Sequence, residues 1–187
     1  QRPSKPWVAR SNRAGGAFMK ELLKEAIDIF LSLREVKTRD KHMSGFVEIL
    51  RKNTPDGLIL KKEIPIEETE YRSKKWDHSV WNDETWTTVI EFKSLDKSPG
   101  NNSNNRMEEA MGCAWINKTS FPDRKRGYWF VGVNLPELYR ERWILFLNHC
   151  LTVGLYDAVC CILLDEQGQP SHPTGMAPDE FFVKLFP

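Results

Sequence analysis

Apolar side chains between residues 17 and 33 recur at Phe18, Met19, Leu22, Leu23, Ala26, Ile27, Phe30 and Leu31. Steps of three and four place them on one broad face, which predicts a helix. Phe46, Val47, Ile49 and Leu50 predict a second helix or a continuation of the first, stopped by the turn chemistry of Asn53-Thr54-Pro55-Asp56-Gly57. The pattern then becomes extended. Residues 58–64, 75–81 and 86–94 read as strands, the last rich in Trp, Thr, Val, Ile and Phe. Asn82-Asp83-Glu84 reads as the hairpin turn between the second and third.

Residues 95–105 carry one proline, one glycine and four asparagines, which predicts a loop. A helix is expected over 106–116, a buried strand over 127–133, and a helix opening with Pro136 and ending near Gly154. Residues 156–164 are almost continuously apolar, as an interior strand is. A short helix starts at Pro178. The expectation is a single α/β domain over 1–187 in the order α-β-β-β-α-β-α-β, with a basic N-terminal arm over 1–16.

Composition narrows the class without naming a chemistry. A chain of 187 residues, 40% hydrophobic and 28% charged, suffices for one core and is not a disordered tail. No apolar run approaches the roughly 18 residues that a membrane span requires. Net charge is only +1, but it is unevenly spread. Arg2, Lys5, Arg10, Arg13, Lys20 and Lys24 face only Glu21 in residues 1–24, whereas Asp157, Asp165, Glu166, Asp179 and Glu180 face only Lys184 in residues 157–187. One basic and one acidic end suit a molecule with one side toward a polyanion, and equally a solvated tail. The four cysteines (Cys113, Cys150, Cys160, Cys161) show neither metal spacing nor a disulfide framework, so a reducing, cytoplasmic setting is expected.

Chemistry concentrates at Asp77 and at Glu91-Phe92-Lys93. Alternate residues of a strand share a face, so Glu91 and Lys93 point one way and Phe92 the other. Asp77, on the preceding strand of the expected hairpin, can sit beside them. Two carboxylates with water and substrate oxygens are what Mg²⁺ accepts. A cation so held can polarise a phosphodiester, and the lysine can position the attacking water. The same three residues also fit a solvated strand face with a cross-strand salt bridge.

The following run, Lys93-Ser94 through Gly100-Asn101-Asn102-Ser103-Asn104-Asn105-Arg106-Met107-Glu108-Glu109-Ala110, closely resembles the XhoI family of type II restriction endonucleases, a branch of the PD-(D/E)XK nucleases. Met43-Ser44-Gly45-Phe46, Arg51-Lys52-Asn53, Pro55-Asp56 and Lys75-Trp76-Asp77 also have counterparts there. Ser103 stands where that family typically carries an aromatic residue. The resemblance implies a restriction-endonuclease-like core, a mixed central sheet flanked by helices. It implies that Asp77 and Glu91 bind Mg²⁺, that Lys93 is the catalytic lysine, and that residues 100–109 form an active-site or DNA-contacting loop and helix start.

Asn101, Asn102, Asn104, Asn105 and Arg106 can read base edges or phosphates. Alternatively Asn104 or Asn105 caps the helix, and Glu108 and Glu109 complement its first turn. Arg124, Lys125 and Arg126 form a basic loop, either phosphate-contacting or merely solvated. Glu48 is a further metal-side carboxylate candidate or a surface helix residue.

The expected function is a site-specific double-stranded DNA endonuclease, Mg²⁺-dependent and part of a restriction-modification system. The resemblance implies a six-base palindrome, CTCGAG or a relative. A homodimer is expected, with residues 17–33 a candidate interface or plain core, no membrane, and a cognate DNA methyltransferase as functional partner. The alternatives are a repair or junction-resolving nuclease on the same fold and a catalytically silent DNA-binding domain.

Overall fold

A computed structural model describes residues 13–33, 41–70, 72–96 and 100–186. They fall into two compact units, residues 1–52 and 53–187. The expected basic arm lies outside the described residues up to residue 12.

The first unit contains α1 (Arg13–Leu33), a 3-10 turn (Lys41–Met43) and α2 (Ser44–Asn53). The apolar stripe read from α1 is the buried one: Leu22, Leu23, Ala26, Ile27 and Phe30 lie inside. Gly45 lets the two helices meet, since a Cβ there would come within 2.5 Å of the Ala26 Cα. Phe30 packs edge-on to His42 and tilted on Phe46, with ring centroids 5.3 and 5.8 Å away.

The second unit holds β1 (Ile59–Lys62), β2 (Pro65–Thr69), β3 (Arg72–Lys75), β4 (His78–Asn82), β5 (Thr85–Leu95), α3 (Gly100–Ser120), β6 (Lys125–Val133), α4 (Glu137–Thr152), β7 (Ala158–Leu164), β8 (Pro170–Ser171) and α5 (Pro178–Leu185). Six strands form one sheet in the order β1-β4-β5-β6-β7-β8, and β2 and β3 form a separate hairpin. Strands β5, β6 and β7 are parallel; β1, β4 and β8 pair antiparallel. Parallel neighbours need a crossover, which α3 and α4 supply. Side chains of α3 (Met107, Ala110, Cys113, Ala114) and α4 (Trp143, Leu147, Cys150) bury the face bearing Val89, Tyr128, Phe130, Val159 and Cys161. Phe130 stacks on Trp143 at 4.1 Å. On the other face Phe181 and Phe182 of α5 pack on Trp129, and Gly127 admits Phe181, whose Cζ would lie 2.9 Å from an added Cβ. The mixed α/β sheet flanked by helices is the expected class, and is consistent with a restriction-endonuclease-like core.

Three local expectations are corrected. The strand read over 75–81 is two strands in different sheets. The chain leaves β3 at Trp76, whose fully buried indole donates a 3.0 Å hydrogen bond to the buried Glu68 carboxylate, and enters β4 only after Asp77. Strand β2 went unread because its Glu67 and Glu68 break the apolar pattern. Residues 100–105 are helical rather than loop. Asparagine is a weak helix former, but tertiary packing overrides it: buried Ser103 accepts a 3.0 Å hydrogen bond from the Trp143 indole. Ser103 thus has a specific partner. Asn104 and Asn105 therefore lie inside α3 and cap nothing, and Glu108 and Glu109 sit beyond its first turn.

Candidate active site

The pleat of β5 turns Glu91 and Lys93 to the α3–α4 side, and the break after Trp76 brings Asp77 to them. The Phe92 amide donates a 2.7 Å hydrogen bond to Asp77 Oδ2, which fixes that carboxylate between the other two positions. Glu91 is 4% exposed. The Lys93 ammonium donates to Glu91 Oε1. Lys74 Nζ, from the β2–β3 hairpin, lies 3.4 Å from Glu91 Oε2, yet that oxygen accepts no hydrogen bond. Burial raises the Glu91 pKa, and the nearby Asp77 charge raises it further, against the pull of Lys93 and Lys74. Two carboxylates so close, one with a buried oxygen still able to accept, form a donor set suited to a hard divalent cation. Among the described residues no group of three or more His, Cys, Asp or Glu side chains is placed to hold a metal.

Sequence reading missed two neighbours. Tyr128 stands opposite Glu91 in the β5–β6 register, with its hydroxyl buried and without a hydrogen-bond partner. Burial pushes the phenol well above its usual range, the Glu91 charge adds to that, and Arg106 opposes it. Arg106 is thus within electrostatic reach of the site. A tyrosine in an apolar strand gives no signal until its register is known. Lys74 is the other, and only the hairpin that carries it could have pointed there.

The remaining candidates divide. Asn104 and Asn105 are exposed on α3; the Asn101 and Asn102 side chains lie outside the described residues. The basic stretch at 124–126 is corrected at Arg126, which is buried in a strand rather than placed on a loop, whereas Arg124 and Lys125 stay partly exposed. Lys125 and Arg126 belong to β6, and Lys125 pairs with Thr88, five residues before the Lys93–Phe130 level. At about 3.3 Å per residue that is roughly 17 Å away, toward the opposite end of the strands. Arg126 is 3% exposed and bonded to Asp157 at 3.1 Å; Lys125 also faces Asp157 at 3.6 Å, and the Arg124 guanidinium lies 5.5 Å from the Trp86 ring centroid. Arg126 is a buried structural cation. Glu48 belongs to the helical unit, where Arg51 grips both its oxygens at 2.7 Å and holds its pKa down.

The model of the restriction endonuclease XhoI family matches residues 24–129. That span exceeds half the chain and contains Asp77, Glu91 and Lys93. The chain belongs to the XhoI restriction endonuclease family. As a member it is a type II restriction endonuclease, a nuclease whose substrate is DNA. No curated protein and no solved structure matches the chain. No helix among the described residues is long and apolar enough to cross a membrane. The four cysteines of this XhoI-family chain are all buried and free of disulfides.

Proposed function

We propose that this enzyme cuts both strands of a short DNA palindrome, CTCGAG or a relative, in a Mg²⁺-dependent reaction, with Asp77 and Glu91 holding the cation and Lys93 serving as the catalytic lysine. The observation that carries the reading is Glu91 itself: a buried carboxylate, raised in pKa by burial and by Asp77, with one oxygen that accepts no hydrogen bond. Such a group costs stability in the metal-free protein, and groups of this kind cluster at functional sites.

When bound, Mg²⁺ supplies charge neutralisation to the phosphate under attack. Asp77 is locked by the Phe92 amide and so presents its free lone pairs in a fixed direction. Lys93 orients the attacking water and stabilises charge that develops on the phosphoryl oxygens. The exposed asparagines of α3, with Asn101, Asn102 and Arg106, are the proposed DNA contacts. Cleavage of both strands of a palindrome calls for two sites related by a two-fold axis, hence a homodimer. A host carrying such an activity needs a methyltransferase acting on the same site.

The test is digestion of unmethylated plasmid with Mg²⁺, then sequencing of the ends. Discrete fragments sharing one palindrome, lost in EDTA and in K93A, are expected. Structure-selective nicking without a shared sequence would favour the repair or junction-resolving alternative.

A further inference from the structure

Building on the reading of Asp77 and Glu91 as cation ligands, we propose that Lys74 is a positioning residue of this site: a built-in counter-ion that balances Glu91 in the absence of a divalent cation and is drawn to Glu109 when one binds.

Lys74 reaches the site from outside the main sheet. Its side chain is 12% exposed, 3.4 Å from Glu91 Oε2 and 4.0 Å from Glu109 Oε1. The Trp76 ring lies 4.9 Å from the ammonium, and cation–π attraction keeps the charge near this spot. The Cys113 thiol also faces it, with Glu91 and Glu109. The two oxygens of Glu91 are unequal. Lys93 donates to Oε1, whereas Oε2 has only the ionic neighbour Lys74 and accepts no hydrogen bond. Lys74 thus supplies charge without occupying the lone pairs. A cation binding Oε2 meets a like charge a few ångström away, and the other carboxylate beside Lys74 is that of Glu109. Glu109, on α3 and 52% exposed, is free to take it. Lys74 therefore sets how much divalent cation the site needs before it loads, and Glu109 lowers that threshold.

Binding of Mn²⁺ to the full-length protein without DNA tests this, read from the spectroscopic signal of free Mn²⁺, since an oxygen-donor site that takes Mg²⁺ also takes Mn²⁺. Removing a positive charge beside a ligand should tighten binding, so K74M is expected to bind Mn²⁺ about tenfold more tightly than wild type. K74R, which keeps the charge, should bind as wild type does. E109Q should weaken binding roughly threefold, and that effect should shrink in the K74M background because Glu109 acts through Lys74. The rise in melting temperature on adding Mn²⁺ should also be larger in K74M.

Loss of binding in E91Q, with K74M equal to or weaker than wild type, would overturn the role of Lys74 and leave the ligand reading intact. Wild-type affinity in E91Q, or no binding by wild type, would overturn both. Should K74M fail to fold, K74R and E109Q decide: tighter binding in K74R, or unchanged binding in E109Q, overturns the proposal.

Discussion

Asp77 and Phe92 are joined by one 2.7 Å hydrogen bond from backbone amide to carboxylate, across the junction where β4 pairs with β5. The bond comes from the residue between Glu91 and Lys93, so the strand that carries two of the site's groups aims the third. D77N keeps an acceptor for that amide but loses the charge. Its melting temperature is expected to stay within a few degrees of wild type while cleavage falls by about a thousandfold or more. D77A should lose cleavage equally and also about 1–2 kcal/mol of stability, read from urea denaturation.

Glu91 should show a conflict between stability and activity. Its pKa is raised in the folded state by burial and by Asp77, so the folded protein holds that proton more tightly than the unfolded chain does. The sign follows: stability is greatest below the unfolded pKa and declines as pH rises through the folded one. In EDTA at neutral pH, E91Q should be more stable than wild type, and with Mg²⁺ present it should be inactive toward plasmid. A less stable E91Q would mean that Lys93 and Lys74 more than compensate for burial.

His78 shifts in the opposite sense. Burial holds its pKa at about 4, and the Lys62 charge adds to the fall. The unfolded chain therefore binds the proton first, and stability rises as pH increases from about 4 to 6.5. The full effect is about 3 kcal/mol. Denaturation in EDTA across that range should lose much of its slope in H78F, which keeps the ring beside Phe92.

Arg126 and Arg106 should separate structure from DNA contact. R126A leaves Asp157 without its 3.1 Å partner and should cost about 2–4 kcal/mol of stability. The salt dependence of DNA binding should not change. R106A should reduce the slope of log affinity against log salt by about one, with stability little affected. Gel-shift titration at several salt concentrations checks both.

The two-faced pleat of β5, the turn at Asn82-Asp83-Glu84 and the buried strands β6 and β7 were legible because each is local: alternation, turn residues, continuous apolar content. The helix over 100–105 was not, since four asparagines argue against it locally and the Ser103–Trp143 bond that opposes them spans 40 residues. The strand break at Trp76 was hidden for a similar reason, as its cause is a carboxylate on an unread strand. Glu91 and Lys93 could be singled out because their types are odd for an apolar strand, and Asp77 because it precedes the strand that pairs with theirs. Lys74 and Tyr128 are ordinary in their own segments and matter only through register. Arg126 misled because a charge run does not show which of its members a strand buries.

Glu68 takes hydrogen bonds from the indole of Trp76 at 3.0 Å and from the amide of Asn117 at 2.9 Å, clasping the small hairpin to α3. Lys74 stands two residues before that indole in the chain and Asp77 directly after it. The spacing of the reactive groups is thus inherited from a latch buried out of reach of any substrate, and loosening that latch would blunt the blade while leaving its handle whole.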